Sequence, residues 1–380
     1  MLWGDKKSGN YPILFPAPRY ALPRPLPEGE GVNEPEVMPA CAVFSIIADM
    51  PDPYPWLEPA RKTLIAALQQ ERLPHALLLT GQPGTGKTAF SNYLAQLILC
   101  QQPTASHMPC GTCPGCIQFA AGGHPDYFHV THAVDEKTGK QSREIKVDQI
   151  RALAGKLVMS SHHGGYQVAI LNPAEVMNKN AVNSLLKTLE EPSDNTVLVL
   201  VSACPAHLPA TVRSRCQQLK LEIPERQLAL EWLQGQGCNE EEAQICLQLA
   251  HGAPLEALRL AQSGTVEARR EHFNALVGIL ERRISPLTVA QGWSKDEELQ
   301  AIHWMREWLM DLIRIRMAGR AGQIRSADLQ DGLATLAGRL DQRVVFELLE
   351  RINRMLRLTA GSLNRQLLTE DILLAWAAQR

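Results

Sequence analysis

No stretch of these 380 residues is apolar for anything near the roughly 20 positions that a membrane-spanning helix needs. The longest apolar runs, such as Val197 to Val201, have the length of a buried strand. An excess of charge of either sign is also missing: 38 Lys and Arg stand against 40 Asp and Glu, a net of −2. Bulk electrostatic attraction is therefore insufficient to grip nucleic acid, and any contact with DNA has to be local or shared with partners. Met1 to Asn10 lacks the basic-then-apolar order of a secretory signal. These absences point to a cytoplasmic chain with no membrane segment. Its thiols should stay reduced, so clustered cysteines read first as a metal site. With 45% hydrophobic and 21% charged residues, wholesale disorder is excluded. The length exceeds one ordinary core, and two or three domains are expected.

Residues 1–49 differ from the rest of the chain. They carry eight of the 25 prolines, with Pro12, Pro16, Pro18, Pro23, Pro25 and Pro27 closely spaced. Proline at that density stops helix propagation and removes ladder donors, which predicts an extended or disordered leader. A docking tail and a non-structural leader both fit. Composition favours the second, with Met50 opening the folded part.

From Pro51 the pattern is α/β. Trp56 to Gln70 has helical apolar spacing through Leu57, Leu64, Ile65 and Leu68. Short apolar runs at His75–Thr80, Val168–Leu171 and Val197–Val201 read as buried parallel strands. Between the last two, Ala181 to Glu191 sets Val182, Leu185, Leu186 and Leu189 on one helical stripe closed by Pro192. Strands alternating with helices predict a mainly parallel sheet covered on both faces. After Pro224 the strand signals stop. Arg226 to Gln262 reads as short helices broken at Gly235, Gly237 and Gly252, and the chain from about Val266 to Arg380 reads as helical.

Gly81-Gln82-Pro83-Gly84-Thr85-Gly86-Lys87-Thr88 fits G-x-x-x-x-G-K-[ST] at every fixed position, after an apolar strand and before a helix expected near Ala89. The glycines Gly81, Gly84 and Gly86 let the backbone turn its N–H groups toward phosphate oxygens. Lys87 adds a charge for the β and γ phosphates, and the Thr88 hydroxyl can ligate Mg²⁺. Binding of ATP with Mg²⁺ is the expectation. Hydrolysis is not, because such sites end a neighbouring strand with a metal-holding Asp, often followed by a Glu that activates water. Here the Val168–Leu171 run ends in Asn172-Pro173, and Glu175 is expected further along, on the next helix.

Cys110-x-x-Cys113-x-x-Cys116, with Cys100 upstream, offers four thiolates in turns supplied by Gly111, Pro114 and Gly115. Tetrahedral Cys₄ coordination suits Zn²⁺, and a closed shell implies a structural ion. Cys41, Cys204, Cys216, Cys238 and Cys246 have no such spacing, and burial or inertness is expected of them. Ser214-Arg215-Cys216 comes after a strand and two prolines. An arginine at that rim could reach a γ-phosphate bound by a neighbouring subunit, although taken alone it competes with Arg213 and with a solvated role.

Several stretches together resemble the bacterial clamp-loader subunits of DNA polymerase III, members of the AAA+ ATPases. They are Leu185-Leu186-Lys187-Thr188-Leu189-Glu190-Glu191-Pro192, Ser214-Arg215-Cys216, the four clustered cysteines and His124-Pro125-Asp126. Tyr54-Pro55-Trp56-Leu57 and His75-Ala76-Leu77-Leu78 are similar to the delta-prime branch. The resemblance is dense from about Asp52 to Leu221 and thinner beyond. It implies an AAA+ P-loop domain over 50–221 with a zinc module at 100–116, a helical lid over 222–266 and a helical collar over 267–380. It also implies a hetero-pentameric ring with delta and tau/gamma motor subunits, which opens a sliding clamp and places it on primed DNA. The delta-prime branch resembles a rigid stator, and the family's Ser-Arg-Cys arginine, which completes a neighbour's ATP site, falls on Arg215.

Departures from the family sort the subunits. The motors carry Asp-Glu where this chain has Asn172 and Pro173, and their nucleotide-sensing lid arginine falls on Leu255. Both losses favour a non-hydrolysing subunit. The intact loop, whose lysine many delta-prime subunits have lost, argues for retained ATP binding. The alternatives are an ATP-hydrolysing gamma/tau-type motor, which usually continues past the collar where this chain stops at Arg380, and an unrelated P-loop enzyme with a zinc knuckle. No paired carboxylates are placed for two-metal nucleotidyl transfer, so the chain is not expected to be catalytic alone.

Overall fold

The computed structural model describes residues 54–133, 142–162, 164–293, 295–318, 324–358 and 365–379. The proline-rich leader, Cys41 and Met50 lie outside the described residues.

Five parallel strands form one sheet in the order β2-β3-β4-β1-β5. They are β1 (Ala76–Thr80), β2 (Tyr127–Val130), β3 (Gln167–Leu171), β4 (Thr196–Ser202) and β5 (Gln217–Lys220). The three expected apolar runs are its three central strands, fully buried along their length. Alternation divides their side chains between two cores. Ala76, Leu78, Ala169, Leu171, Leu198 and Leu200 face one side, and Leu77, Leu79, Val168, Ile170, Val197 and Val199 face the other.

The second side is covered by α1 (Glu58–Gln69) and α2 (Lys87–Leu99) through Leu64, Phe90, Leu94 and Ile98. The first is covered by α4 (Val147–Leu157) and α5 (Lys179–Glu190) through Ile150, Leu153, Leu157, Val182, Leu185 and Leu189. Helix α5 begins where Asn178 Oδ1 accepts the Ala181 N–H at 2.9 Å, and it ends two residues before Pro192. A short α3 (Pro114–Ala120) comes after the cysteine turns, and a four-residue α6 (Ala210–Arg213) precedes β5.

Beyond β5 all described elements are helical. Helices α7 (Arg226–Gly235), α8 (Glu240–Leu249) and α9 (Pro254–Gln262) share a small core of Ala229, Leu233, Ala243, Cys246, Leu247 and Ala257. Three glutamates fill the first turn of α8 behind its Asn239 cap, where carboxylates complement the helix dipole. A larger core is built by α10 (Thr265–Leu280), α11 (Pro286–Gly292), α12 (Lys295–Ala318), α13 (Gln330–Arg339), α14 (Gln342–Leu358) and α15 (Arg365–Ala377). Phe273, Trp308, Leu333, Ile352 and Trp376 lie at its centre. The fully buried Arg269 is balanced there by Asp328 and Glu307, each at 3.3 Å, as a buried charge requires.

Candidate functional site

The phosphate loop leaves β1 at Thr80 and enters α2 at Lys87, two residues before the expected helix start. This is the carboxyl edge of a parallel sheet, where such folds bind ligands. Gly84 (φ +78°) and Gly86 (φ +93°) take left-handed backbone that other residues adopt only with strain. At Gly84 packing adds a second demand, since a Cβ would lie 2.5 Å from Glu256 Cβ and 2.7 Å from its backbone nitrogen. The start of α9 thus rests on the loop, and the Leu255 N–H donates to Gly84 O at 3.1 Å. An aromatic clasp closes the same seam. The Trp56 indole N–H donates to Thr85 O at 2.9 Å, with Tyr54 stacked on the Trp56 ring at 4.9 Å and Trp232 of α7 edge-on at 5.2 Å.

The side chains of Lys87 and Thr88 are engaged within the chain. Lys87 Nζ donates to Gly81 O at 2.8 Å and to Gln82 O at 2.7 Å. Burial pushes its ammonium below the usual lysine range, partly opposed by the nearby charge of Glu175. The Thr88 hydroxyl accepts from Asn172 Nδ2 at 3.0 Å, and no carboxylate bonds to it among the described residues. Glu175 departs from expectation: it lies on a 3₁₀ turn, Ala174–Val176, before the next helix starts. The turn brings its carboxylate back to β4, where Oε1 accepts from Ala203 N at 2.9 Å and Cys204 N at 3.3 Å.

At the far end of α2, Cys100 caps the helix and meets Cys110, Cys113 and Cys116. All four sulfurs lie within 4.8 Å of one another, with Cys100 and Cys113 3.9 Å apart and Cys110 and Cys116 4.0 Å apart. A tetrahedral ion with Zn–S bonds near 2.3 Å requires S···S edges of about 3.8 Å, so the donor set fits zinc in chemistry and size. Backbone N–H groups of Cys110, Cys113 and Cys116 point at Cys100, Cys110 and Cys113 sulfur respectively, at 3.3 to 3.4 Å. Such donors favour thiolate. The Thr112 N–H first, and then that of Cys113, lower Cys110 to about 6, whereas burial raises Cys116. Gly115 lets α3 approach, because a Cβ there would lie 2.6 Å from Leu99 O. Of the remaining described cysteines, Cys216 and Cys246 are buried and Cys238 half-buried, and Cys204 is exposed in the loop leaving β4.

Arg215 stands apart from the phosphate loop. It is exposed, with Nη2 2.7 Å from Glu190 Oε1 and Nη1 donating to Thr211 O at 3.0 Å. Arg213 is the more buried of the two, with its Nε inside the protein and unpaired among the described residues. Strand β5 runs parallel to β1 with Gln217 opposite Leu77, so Arg215 lies at the amino edge of the sheet and Gly81 at the carboxyl edge. From the Gln217–Leu77 level to Gly81 is four residues, roughly 13 Å along the sheet at about 3.3 Å per residue, and Arg215 lies beyond that level, in the turn before β5. Sequence reasoning missed Glu190 as the partner of Arg215, and it missed the Trp56–Trp232 clasp. Neither spacing carries a signal, because both pairs form only on folding.

The sheet order, the loop between β1 and α2 and the helical appendages define a P-loop fold of the AAA+ type. A family model described as "DNA polymerase III, delta subunit" matches residues 56–225, and one described as "DNA polymerase III, delta subunit, C terminal" matches residues 263–378. DNA polymerase III subunit delta' of Pseudomonas aeruginosa is 35% identical, over 87% of this chain and 98% of that protein. The protein of the same name from Escherichia coli is 33% identical, over 84% and 94%. The chain belongs to the delta-prime subunits of DNA polymerase III. A solved gamma subunit-related protein of DNA polymerase III from Thermotoga maritima superposes with a TM-score of 0.41 at 18% identity, covering 83% of this chain and 98% of that one. That likeness is too loose to carry the assignment, which rests on the sequence relatives.

Proposed function

We propose that this chain is the stator of a clamp-loading ring. It would stand beside delta and the tau/gamma motors in a hetero-pentamer that opens a sliding clamp onto primed DNA, and place Arg215 in a neighbour's ATP site. The observation that carries this reading is the position of Arg215. The paired length of β1 and β5, roughly 13 Å, lies between it and the chain's own phosphate loop, beyond the reach of an arginine side chain. It is exposed and braced by Glu190 and Thr211, so its charge is available to a phosphate outside this chain. An arginine supplied in trans offsets charge that builds on the transferring phosphoryl group.

In this reading the chain's own site holds ATP with Mg²⁺ and does not turn it over. Gly81, Gly84, Gly86, Lys87 and Thr88 are the residues that would cradle the nucleotide. Lys87 would have to release Gly81 O and Gln82 O to meet a phosphate. Bound Mg²⁺ would supply charge neutralisation of the phosphates, with Thr88 as its protein ligand. Asn172 and Pro173 supply no carboxylate at the end of β3 itself. Cys100, Cys110, Cys113 and Cys116 would hold one structural zinc.

The test is Arg215→Ala in the reconstituted ring. ATP hydrolysis by the neighbour should fall about 10³-fold or more while the ring still assembles. Hydrolysis at the parental rate would remove Arg215 from the mechanism. The intact loop favours one second reading, a hydrolysing motor. Turnover by the isolated chain with Mg²⁺, abolished by Lys87→Ala, would establish that reading instead.

A further inference from the structure

Glu175 is the group beside the phosphate loop whose chemistry is left incomplete. Its Oε1 is fixed by the Ala203 and Cys204 N–H groups at the exit of β4. Its Oε2 is buried and has no hydrogen-bond partner among the described residues. An unpaired buried carboxylate oxygen is costly, and it marks a position where a water or an ion belongs. The surroundings say which. Asn172, three residues earlier in the same turn, donates to the Thr88 hydroxyl at 3.0 Å. The charge of Glu175 is felt at Lys87, although the two groups make no ion pair. Thr88, Lys87, Asn172 and Glu175 therefore share one end of the sheet, where a phosphate-bound cation would sit.

We propose that Glu175 is the acidic acceptor of this nucleotide site, its free Oε2 taking a hydrogen bond from a water on a Mg²⁺ ion held between Thr88 and the phosphates of a nucleoside triphosphate. The inference rests on the reading that the loop binds nucleotide, and it specifies how. Magnesium keeps several of its waters when protein-bound, so an acceptor one layer out suffices to retain it. An outer acceptor tethered to β4 grips the hydrated ion but leaves no base where Pro173 stands. The site would thus hold Mg²⁺ with the nucleotide without activating an attacking water.

Equilibrium dialysis of the full chain against ATP, in Mg²⁺ and in EDTA, tests this. In the parent, Mg²⁺ should tighten ATP binding. In Glu175→Gln that gain should shrink about tenfold, the lower range for removing an outer hydrogen-bond partner of a metal site, while affinity in EDTA is unchanged. The amide still accepts from Ala203 and Cys204, so the melting temperature should match the parent. If it falls, Glu175→Asp, which keeps the charge and shortens the reach, takes its place with the same loss of Mg²⁺ gain expected. A variant that keeps the full gain overturns the proposal. So does one that binds ATP more tightly with and without metal alike, since Glu175 would then only balance Lys87. A parent chain that binds no ATP in either buffer sinks the nucleotide reading itself, and this inference with it.

Discussion

Helix α2 carries a phosphate loop at its amino end and a cysteine cluster at its carboxyl end, and the polar groups of the two are engaged in opposite ways. The four sulfurs already stand at the separations a tetrahedral ion demands, with backbone N–H groups turned toward three of them. The phosphate loop is closed on itself: Lys87 bonds its own loop, Asn172 takes the Thr88 hydroxyl, and Leu255 and Trp56 pin the backbone from outside. The difference lies in the partners that each set of groups finds within the chain. Clustered thiols have few alternative partners within a short Gly-Pro turn region. A buried ammonium cannot stay unpaired and takes the nearest carbonyls. One end presents four donors at metal spacing, whereas the other is held by bonds within the chain.

The strongest test of that contrast is removal of one thiol. Cys113→Ser should take the metal content from about one zinc per chain to near none, because a closed Cys₄ shell has no spare ligand. Structural zinc contributes on the order of 10 kcal/mol to the segment it folds, so chelation should also lower the melting temperature and expose the 100–120 region to protease. A metal-free chain that melts like the parent would show that the cluster stands without an ion.

The next effect concerns the sheet on which both ends are mounted. Leu198→Ala, at a fully buried position in β4, should cost about 2–5 kcal/mol in denaturant unfolding through the cavity it leaves. A cost near zero would mean that the central strand is not the shared scaffold.

Smaller effects are expected at the loop. Gly84→Ala should cost about 1–3 kcal/mol, because φ +78° strains any side chain and Glu256 occupies the space. Hydrogen exchange should quicken in α9 before it does in the sheet. Equal exchange in both would mean that α9 is not seated on the loop. Smallest of all, Trp56→Phe removes the bond to Thr85 O and should cost about 1 kcal/mol. Should Trp56→Phe be the more damaging of the two, the clasp rather than the α9 contact holds the loop shut.

Legibility in the sequence varies with the kind of signal. The three central strands are readable because a strand buried on both faces is apolar along its whole length. Strands β2 and β5 are not, since they lie at the sheet edges and β5 is largely exposed, so neither burial nor alternation marks Gln217–Lys220. Helix α4 has a usable stripe in Ile150, Leu153 and Leu157, a signal that sequence reasoning missed. The glycine loop and the cysteine spacing are legible because each motif is a local geometry written within a few residues. Glu175 is expected from sequence on the next helix. In the structure a 3₁₀ turn brings it back to β4, a contact set by Ala203 and Cys204 almost thirty residues downstream.

The amino-acid order alone determined which groups exist: a glycine loop of phosphate-binding pattern, four thiols at metal spacing, an arginine after two prolines, and an amide and a proline at the end of β3. These are local matters, decided by residue type and by separations short enough for the backbone to bridge unaided. Tertiary structure decided what each group faces. It put Arg215 at the opposite edge of the sheet from Gly81, set Glu190 beneath its guanidinium, laid the start of α9 on Gly84, and left one oxygen of Glu175 buried without a partner among the described residues. Those pairings join residues tens of positions apart, and the packing of helices onto both faces of a parallel sheet brings them together.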